Sequence, residues 1–296
     1  LYHVLKGARD ERGAMEFDTV ETRMVFDENS KIEHIIPVER NDAHKLIEEC
    51  MLIANVATAR FLEQTEQPAL FRVHEGPSAQ KLENLRAFLG ELTLELPGGL
   101  KPTPEHYQSL LSTVEGRDDA QVIQTMLLRS LSQAVYQPDN GGHFGLHFEA
   151  YAHFTSPIRR YPDMMVHRLL QDTLDGKPSP KADPLEELCQ HSSQREQNAA
   201  DAERSSIKYM QAVYMEQFVG EQFDGIISGV TDWGVFVEVP ETACEGLVRL
   251  REFRDDYYSV DSERHCLVGE RWGKEFRLGD PLRIVVKDVD VVRKTI

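Results

Sequence analysis

No stretch of this 296-residue sequence approaches the ~20 consecutive apolar residues that a membrane helix needs, so no bilayer-spanning helix is expected. No basic-then-apolar segment opens it, which argues against a secretory leader. Cysteine is sparse: Cys50, Cys189, Cys244 and Cys266 are scattered and form no CxxC pair. A disulfide framework or zinc site is therefore not expected, and reduced thiols in a cytoplasm are. Repeats and low-complexity tracts are missing, and 41% apolar with 28% charged residues excludes a disordered chain. Positive charge is scarcest of all: 33 Lys and Arg face 50 Asp and Glu, a net charge of −17. That balance excludes a generally basic nucleic-acid coat, but not a local basic groove inside an acidic field. An initiator Met is also lacking, and Val291 to Ile296 read as a strand broken mid-course, so a piece of a longer protein is expected.

What is present divides into three blocks. The first is mixed. A short helix over 1–11 ends at Gly13, and Glu21–Phe26 and Lys31–Val38 read as a hairpin about Asp27–Ser30. Asn41 or Asp42 caps a helix whose apolar face is Leu46, Ile47, Cys50, Met51, Ala54, Ala57 and Phe61, with Glu48 and Asn55 on the opposite side. A strand over Ala69–His74 follows, then a helix from Ser78 to Gly90, a loop over Leu96–Pro104, and two helices running to Tyr136. The central block is the least acidic and holds five of the eleven histidines. There His143–Phe154 reads as an aromatic strand and Ser156-Pro157 as the cap and first position of a helix to Asp175. A linker over Lys177–Asp183 leads to a second helix reaching about Val219. In the third block the period becomes two: Gln222–Val230, Val235–Val239, Gly246–Leu250 and Leu282–Val289 read as strands of a small barrel, with a domain boundary near 218.

The corner at 153–160 carries the most chemistry. A helix N-terminus offers unpaired N–H groups and partial positive charge. Here it would come with His153, Thr155, Ser156, Arg159 and Arg160, a natural phosphate site. The competing reading pairs Arg159 and Arg160 with Asp163 or other carboxylates.

Around this corner, His143-Phe-Gly-Leu146, then Tyr151-Ala-His-Phe-Thr-Ser-Pro-Ile-Arg-Arg-Tyr-Pro-Asp163 and His167-Arg168, form a long and specific pattern. It resembles the signature of the ribonuclease II/ribonuclease R (RNB) family. The likeness extends back through Arg40–Glu49 and on through Ala202-Glu203-Arg204, and residues 220–296 resemble the S1 RNA-binding barrel that closes these enzymes. The resemblance implies an α+β fold: the C-terminal portion of an RNB catalytic domain over 1–217, then an S1-type OB-fold β-barrel over 218–296 with its last strand truncated. It implies a processive 3′-to-5′ exoribonuclease, cytoplasmic and monomeric, that uses Mg²⁺ to release nucleoside 5′-monophosphates from single-stranded RNA. Residue by residue, Arg159 falls at the arginine that contacts the scissile phosphate and Glu203 at a glutamate implicated in activity. Glu48 falls at the acidic residue that reads ribose, and Phe17, across a one-residue gap, near the aromatic that clamps bases.

One departure is large. The family's metal-binding aspartates end in an Asp-Asp pair with a further aspartate two positions earlier. This chain has the pairs Asp118-Asp119 and Asp255-Asp256, preceded at that spacing by Gly116 and Phe253. The carboxylates for Mg²⁺ are therefore not expected within this chain, which leaves a non-catalytic RNA-binding module as the alternative. In the barrel, Phe223, Trp233 and Phe236 are expected to divide between stacking bases and filling the core, while Arg249 departs from the family's histidine. A zinc site among His143, His147, His153, His167 and His191, a Ser156 hydrolase and an acidic protein-interaction scaffold are weaker readings.

Overall fold

The computed structural model describes residues 1–17, 21–38, 40–65, 68–117, 119–177, 182–261, 264 and 266–296. The linker positions 178–181 and Asp118 lie outside the described residues. Helices and antiparallel sheets alternate in an α+β arrangement. Helix α1 (Tyr2–Arg12) stops where Gly13 adopts φ 72° and its N–H caps the last turn. Strands β1 (Thr22–Phe26) and β2 (Ile32–Pro37) form the expected hairpin, turned by the Asp27 carboxylate, which accepts the N–H groups of Asn29 and Lys31. Asn41 caps the long helix α2 (Asp42–Gln64) by accepting from Ala43 and His44.

The face that α2 buries is not the one its periodicity suggests. Asn55, Val56, Thr58, Ala59 and Leu62 point inward, while Ile47 is 60% exposed and Ile53 50%. The helix carries two apolar stripes, and the inner one wins because its small residues let α2 approach strands β3 (Phe71–Val73) and β4 (Val135–Gln137). Helices α3 (Ala79–Glu91), α4 (Pro104–Val114) and α5 (Ala120–Ser130) enclose a separate core around Tyr107, Leu85 and Leu127. The two helices expected to reach Tyr136 end at Ser130, because Tyr136 belongs to β4 and pairs with Arg72 of β3.

Two larger corrections follow in the central block. Residues 143–154 are not a strand. They wrap β3 as a turn closed by His143 and Phe148, with Gly142 and His147 at φ 70° and 52°. Histidine rings replace ladder bonds: His143 Nδ1 accepts from Leu146 N–H at 3.2 Å, and His74 Nδ1 from Gly145 N–H at 2.9 Å. The helix after it, α6 (Tyr161–Leu174), starts five residues later than Ser156, with Pro162 in its first turn. Helix α7 (Ala182–Met215) then crosses to the second domain, packing on β4 and on β7.

Beyond α7, strands β5 (Gln222–Thr231), β6 (Gly234–Val239), β7 (Cys244–Arg249) and β11 (Pro281–Val285) make a four-stranded sheet in the order β11-β5-β6-β7. The sequence pattern overlooks a second sheet, β10-β9-β8, from β8 (Tyr258–Asp261), β9 (Cys266–Gly269) and β10 (Glu275–Arg277). These strands are short and set in charged loops, so alternation barely registers. Ile227, Val235, Val237 and Leu267 from both sheets share one interior. Val291–Ile296 is also not an extended strand: it turns at Lys294 (φ 58°), and only Ile296 joins β7, accepting from Leu247 N–H at 2.9 Å.

The turn between β5 and β6 depends on Gly234, whose φ of 142° belongs to glycine alone. A Cβ there would lie 2.1 Å from the Val248 carbonyl oxygen. Gly234→Ala should destabilise the barrel by more than about 1 kcal/mol, read as a lowered unfolding midpoint in urea.

Candidate nucleic-acid interface

The corner is built on two buried side chains. Asn55, 3% exposed on α2, accepts from the N–H groups of Phe154 at 2.9 Å and Thr155 at 3.2 Å, and donates to the Tyr151 hydroxyl at 2.9 Å. Asp163, 0% exposed in the first turn of α6, accepts from Ser156 N–H at 2.7 Å and from the Arg160 guanidinium at 2.9 Å. Ser156 carbonyl in turn receives the N–H groups of Arg159 and Arg160. The backbone donors that a phosphate cradle would use are thus already taken from Phe154 through Ser156 and at Arg159 and Arg160. Ser156 does not cap a helix: the residue before α6 is Arg160.

The two arginines part company. Arg160 is the internal partner of Asp163. Arg159 projects into solvent, and its side chain makes no ion pair or hydrogen bond among the described residues. Of the two, Arg160 is committed to Asp163, and Arg159 is the one whose guanidinium is left to solvent. Beside it, Ile158 is fully exposed, and the half-buried Thr155 has its hydroxyl oxygen shielded from solvent without a partner.

His153 stands behind the corner, not on it. Its Nδ1 bonds the Tyr136 hydroxyl at 2.8 Å, and burial with the adjacent Arg160 and Arg72 pushes it down to about 2. Burial and the neighbouring His74 push His143 to about 3. Both rings are neutral packing groups, so His153 supplies no charge to a phosphate. His167 stacks on Phe154 and bonds its carbonyl oxygen, and His147 meets the carbonyl of Arg12. The histidines thus serve separate local contacts.

Phe17 and Glu48 share one cavity. Both line a cavity of about 570 Å³ with Tyr2, Lys6, Arg9 and Arg40. Glu48 pairs with Arg40, and the adjacent Glu49 is buried against Arg9 at 2.9 Å. Phe17 leans on the α3–α5 core with one side and faces this cavity with the other. Glu203 is exposed on α7 and makes no ion pair among the described residues. No contact joins it to Arg159.

In the barrel the three aromatics separate. Phe223 packs against Phe218 at 5.8 Å and belongs to the core beneath α7, so it is not a stacking surface. Trp233 is 77% exposed at the β5–β6 turn, and Phe236 on β6 is half-buried. Among the described residues, no three His, Cys, Asp or Glu side chains gather to hold a metal ion. Asp119 pairs with Arg117, Asp255 with Lys274, and Asp256 accepts backbone N–H groups. Among the described residues, no such group fits a Mg²⁺ site. The four cysteines are free, Cys50 exposed and the others buried, and no described helix is long and apolar enough to cross a membrane.

Asn55 carries more of this site than its sequence position advertised. Its one signal was a poor helix former in mid-helix on the polar side.

Comparison with known proteins finds relatives along the whole chain. The RNB domain model matches residues 1–176, and the S1 RNA binding domain model matches residues 216–296. Ribonuclease R of Vibrio cholerae is 46% identical over 304 residues, covering 98% of this chain and 37% of that protein. Ribonuclease R of Escherichia coli is 43% identical over 308 residues, covering 100% and 38%. This chain therefore spans well under half the length of these relatives. Mycoplasma genitalium RNase R, solved in complex with ribose methylated single-stranded RNA, superposes with a TM-score of 0.92 at 28% identity, covering 99% of this chain and 47% of that one.

Two measurements check the corner. Asn55→Leu strands two buried N–H groups and a hydroxyl, so it should cost about 3 kcal/mol of unfolding free energy, with Asn55→Asp costing less because it still accepts both amides. The neutral histidines give a pH dependence. The unfolded chain binds protons below about 6.5, while His143 and His153 in the fold do not until about 3 and 2. Stability should be full above about pH 6.5 and fall below it, on the order of 1 kcal/mol per pH unit per histidine. His153→Gln should flatten that slope in urea unfolding between pH 7 and pH 5.

Proposed function

Because the chain belongs to the RNB ribonuclease family, we propose that it is the C-terminal part of a 3′-to-5′ exoribonuclease that shortens single-stranded RNA one nucleotide at a time. The observation that carries this reading is Arg159: an unpaired guanidinium held out on a corner whose backbone is clamped from both sides. Such a group can meet a phosphodiester with two parallel N–H bonds and stabilise the charge that grows on it. In the reaction, water adds to the phosphorus of the terminal phosphodiester and the bond to the preceding 3′ oxygen breaks. That oxygen leaves with a proton, and a nucleoside 5′-monophosphate is released.

The remaining residues take roles along one strand. Phe17 offers a ring face to a base, and Glu48, in the same cavity, an acceptor for a ribose 2′-hydroxyl, the group that tells RNA from DNA. Glu203 is a second unpaired polar group on α7 for the reacting end. Thr155, whose shielded hydroxyl has no partner among the described residues, offers a further hydrogen bond to the bound strand. Trp233 and Phe236 stack incoming bases on the barrel. Residues 1–217 are the catalytic portion and 218–296 the S1 portion of this scheme, in a cytoplasmic monomer.

The family's Mg²⁺ chemistry needs a carboxylate cluster that does not gather among the described residues, and that supports a second reading for the chain taken alone: an RNA-binding module without hydrolysis. Both readings expect RNA affinity that falls with salt, and an acidic protein scaffold expects none. The 296-residue chain should bind single-stranded RNA, with Arg159→Ala reducing the slope of log K against log salt by about 1. It should release mononucleotides with Mg²⁺ far more slowly than a protein that also carries the aspartate cluster. Robust release by the chain alone would overturn the assignment of the missing ligands, and salt-insensitive or absent RNA binding would overturn the reading as a whole.

A further inference from the structure

The sheet that alternation missed carries an aromatic surface of its own. Along the edge of β8, side chains divide by face. Tyr258 turns inward, its ring 5.2 Å from that of Phe253 and 5.4 Å from that of Phe276, which are themselves 4.9 Å apart. Tyr257 turns outward and is 67% exposed. The turn between β9 and β10 carries Trp272, 78% exposed, and its backbone bonds the same Asp256 carboxylate as that of Tyr257. Neither outward ring is needed by the interior, which the inward trio already closes.

The turn is held still. Asp256 accepts from the N–H groups of Tyr257 at 2.7 Å, Arg271 at 3.0 Å and Trp272 at 2.9 Å. Glu270 N–H donates to the Tyr257 carbonyl oxygen at 2.8 Å, and Gly273, at φ 63°, donates to Gly269 at 3.0 Å. The segments 256–257 and 269–274 are thereby knitted together, with the indole left outside.

Charge on this patch leans positive where it is unpaired. The Arg271 guanidinium lies 5.2 Å from the centre of the Tyr257 ring. Neither it nor Arg254 makes an ion pair among the described residues. The carboxylates nearby are engaged: Asp256 by amides, Asp255 by Lys274 and the Tyr258 hydroxyl, and Glu275 by Arg264 and Arg277. Glu270 is the exception, exposed and without an ion pair.

A rigid indole, a second ring and free guanidinium groups make a surface for unpaired bases on a polyanion. We propose that Trp272, with Tyr257 and Arg271, is a second stacking platform for single-stranded RNA, on a different turn from Trp233 and Phe236. It rests on the reading of this domain as an RNA binder and extends the path of the strand beyond the β5–β6 surface.

The chain has two tryptophans, Trp233 and Trp272, which makes the test direct. In Trp233→Phe the indole of Trp272 is the sole tryptophan signal, and titration with an oligoadenylate at low salt should quench it saturably. Trp272→Ala should weaken binding about 5-fold or more, as loss of one stacked base does, and Trp272→Phe should retain most of the affinity. Because Trp272 is exposed, the unfolding midpoints of these variants should match the parent. If the oligonucleotide binds and quenches Trp233 in Trp272→Phe but leaves Trp272 silent in Trp233→Phe, the second platform is overturned while the RNA reading of the domain stands. If no variant binds RNA, both fail. Trp272-dependent self-association without quenching by RNA would assign the patch to protein contact and overturn the proposal.

Discussion

Everything at the candidate site depends on two buried acceptors from different helices taking hold of one irregular stretch of backbone. Residues 154–160 lie between a turn and a helix, with no ladder bonds and, of their own, only the turn bonds from Arg159 and Arg160 to the Ser156 carbonyl. Asn55 supplies acceptors from α2 and Asp163 from α6. An unpaired buried N–H is costly, so such a stretch persists only where its donors are met. The same bonds decide which arginine is available: Asp163 neutralises Arg160, and the turn it stabilises leaves Arg159 outside.

The acidic balance of the molecule fits this arrangement. Many of its cations are committed internally, as Arg72 is to Glu196 at 2.6 Å and Arg9 to Glu49 at 2.9 Å. A surface with a net charge of −17 repels a polyanion at most approaches, so a few unpaired guanidinium groups acquire directional weight. Arg159 on the corner and Arg271 on the outer sheet are such groups. Rigid presentation serves both, because a cation or ring fixed in advance loses little freedom on binding.

Element positions were legible wherever a local signal decided them. Asn41 capping α2, Gly13 ending α1 and the Asp27 turn are contacts within a few residues, and the structure has each in place. The errors share a cause. The second apolar stripe of α2, the turn at 143–154 and the late start of α6 each involve a partner distant in sequence: β3 for the first two, and for the third Asn55, which holds the Phe154 and Thr155 amides from 99 and 100 residues away. Aromatic alternation at 143–154 imitates a strand because the rings pack on both sides of a wrapping turn, where histidine nitrogens accept the amides. The sheet β8–β10 escaped for a different reason, since three- and four-residue strands leave alternation too little length to register.

The signature around His143–Arg168 determined by itself which family the chain belongs to, because a run of specific residues at fixed spacing needs no coordinates to be read. Charge, composition and the glycine turns likewise determined the division into a mixed first part and an all-β second part. Only the tertiary structure decided what each residue of the signature does. It set His153 behind the corner as a neutral packing ring, gave Arg160 to Asp163 and left Arg159 without an ion pair among the described residues. It placed Phe17 and Glu48 on one cavity and withdrew Phe223 into the core beneath α7. Burial, partner and protonation depend on what the chain brings close from far along its length, and one-dimensional spacing carries no record of that.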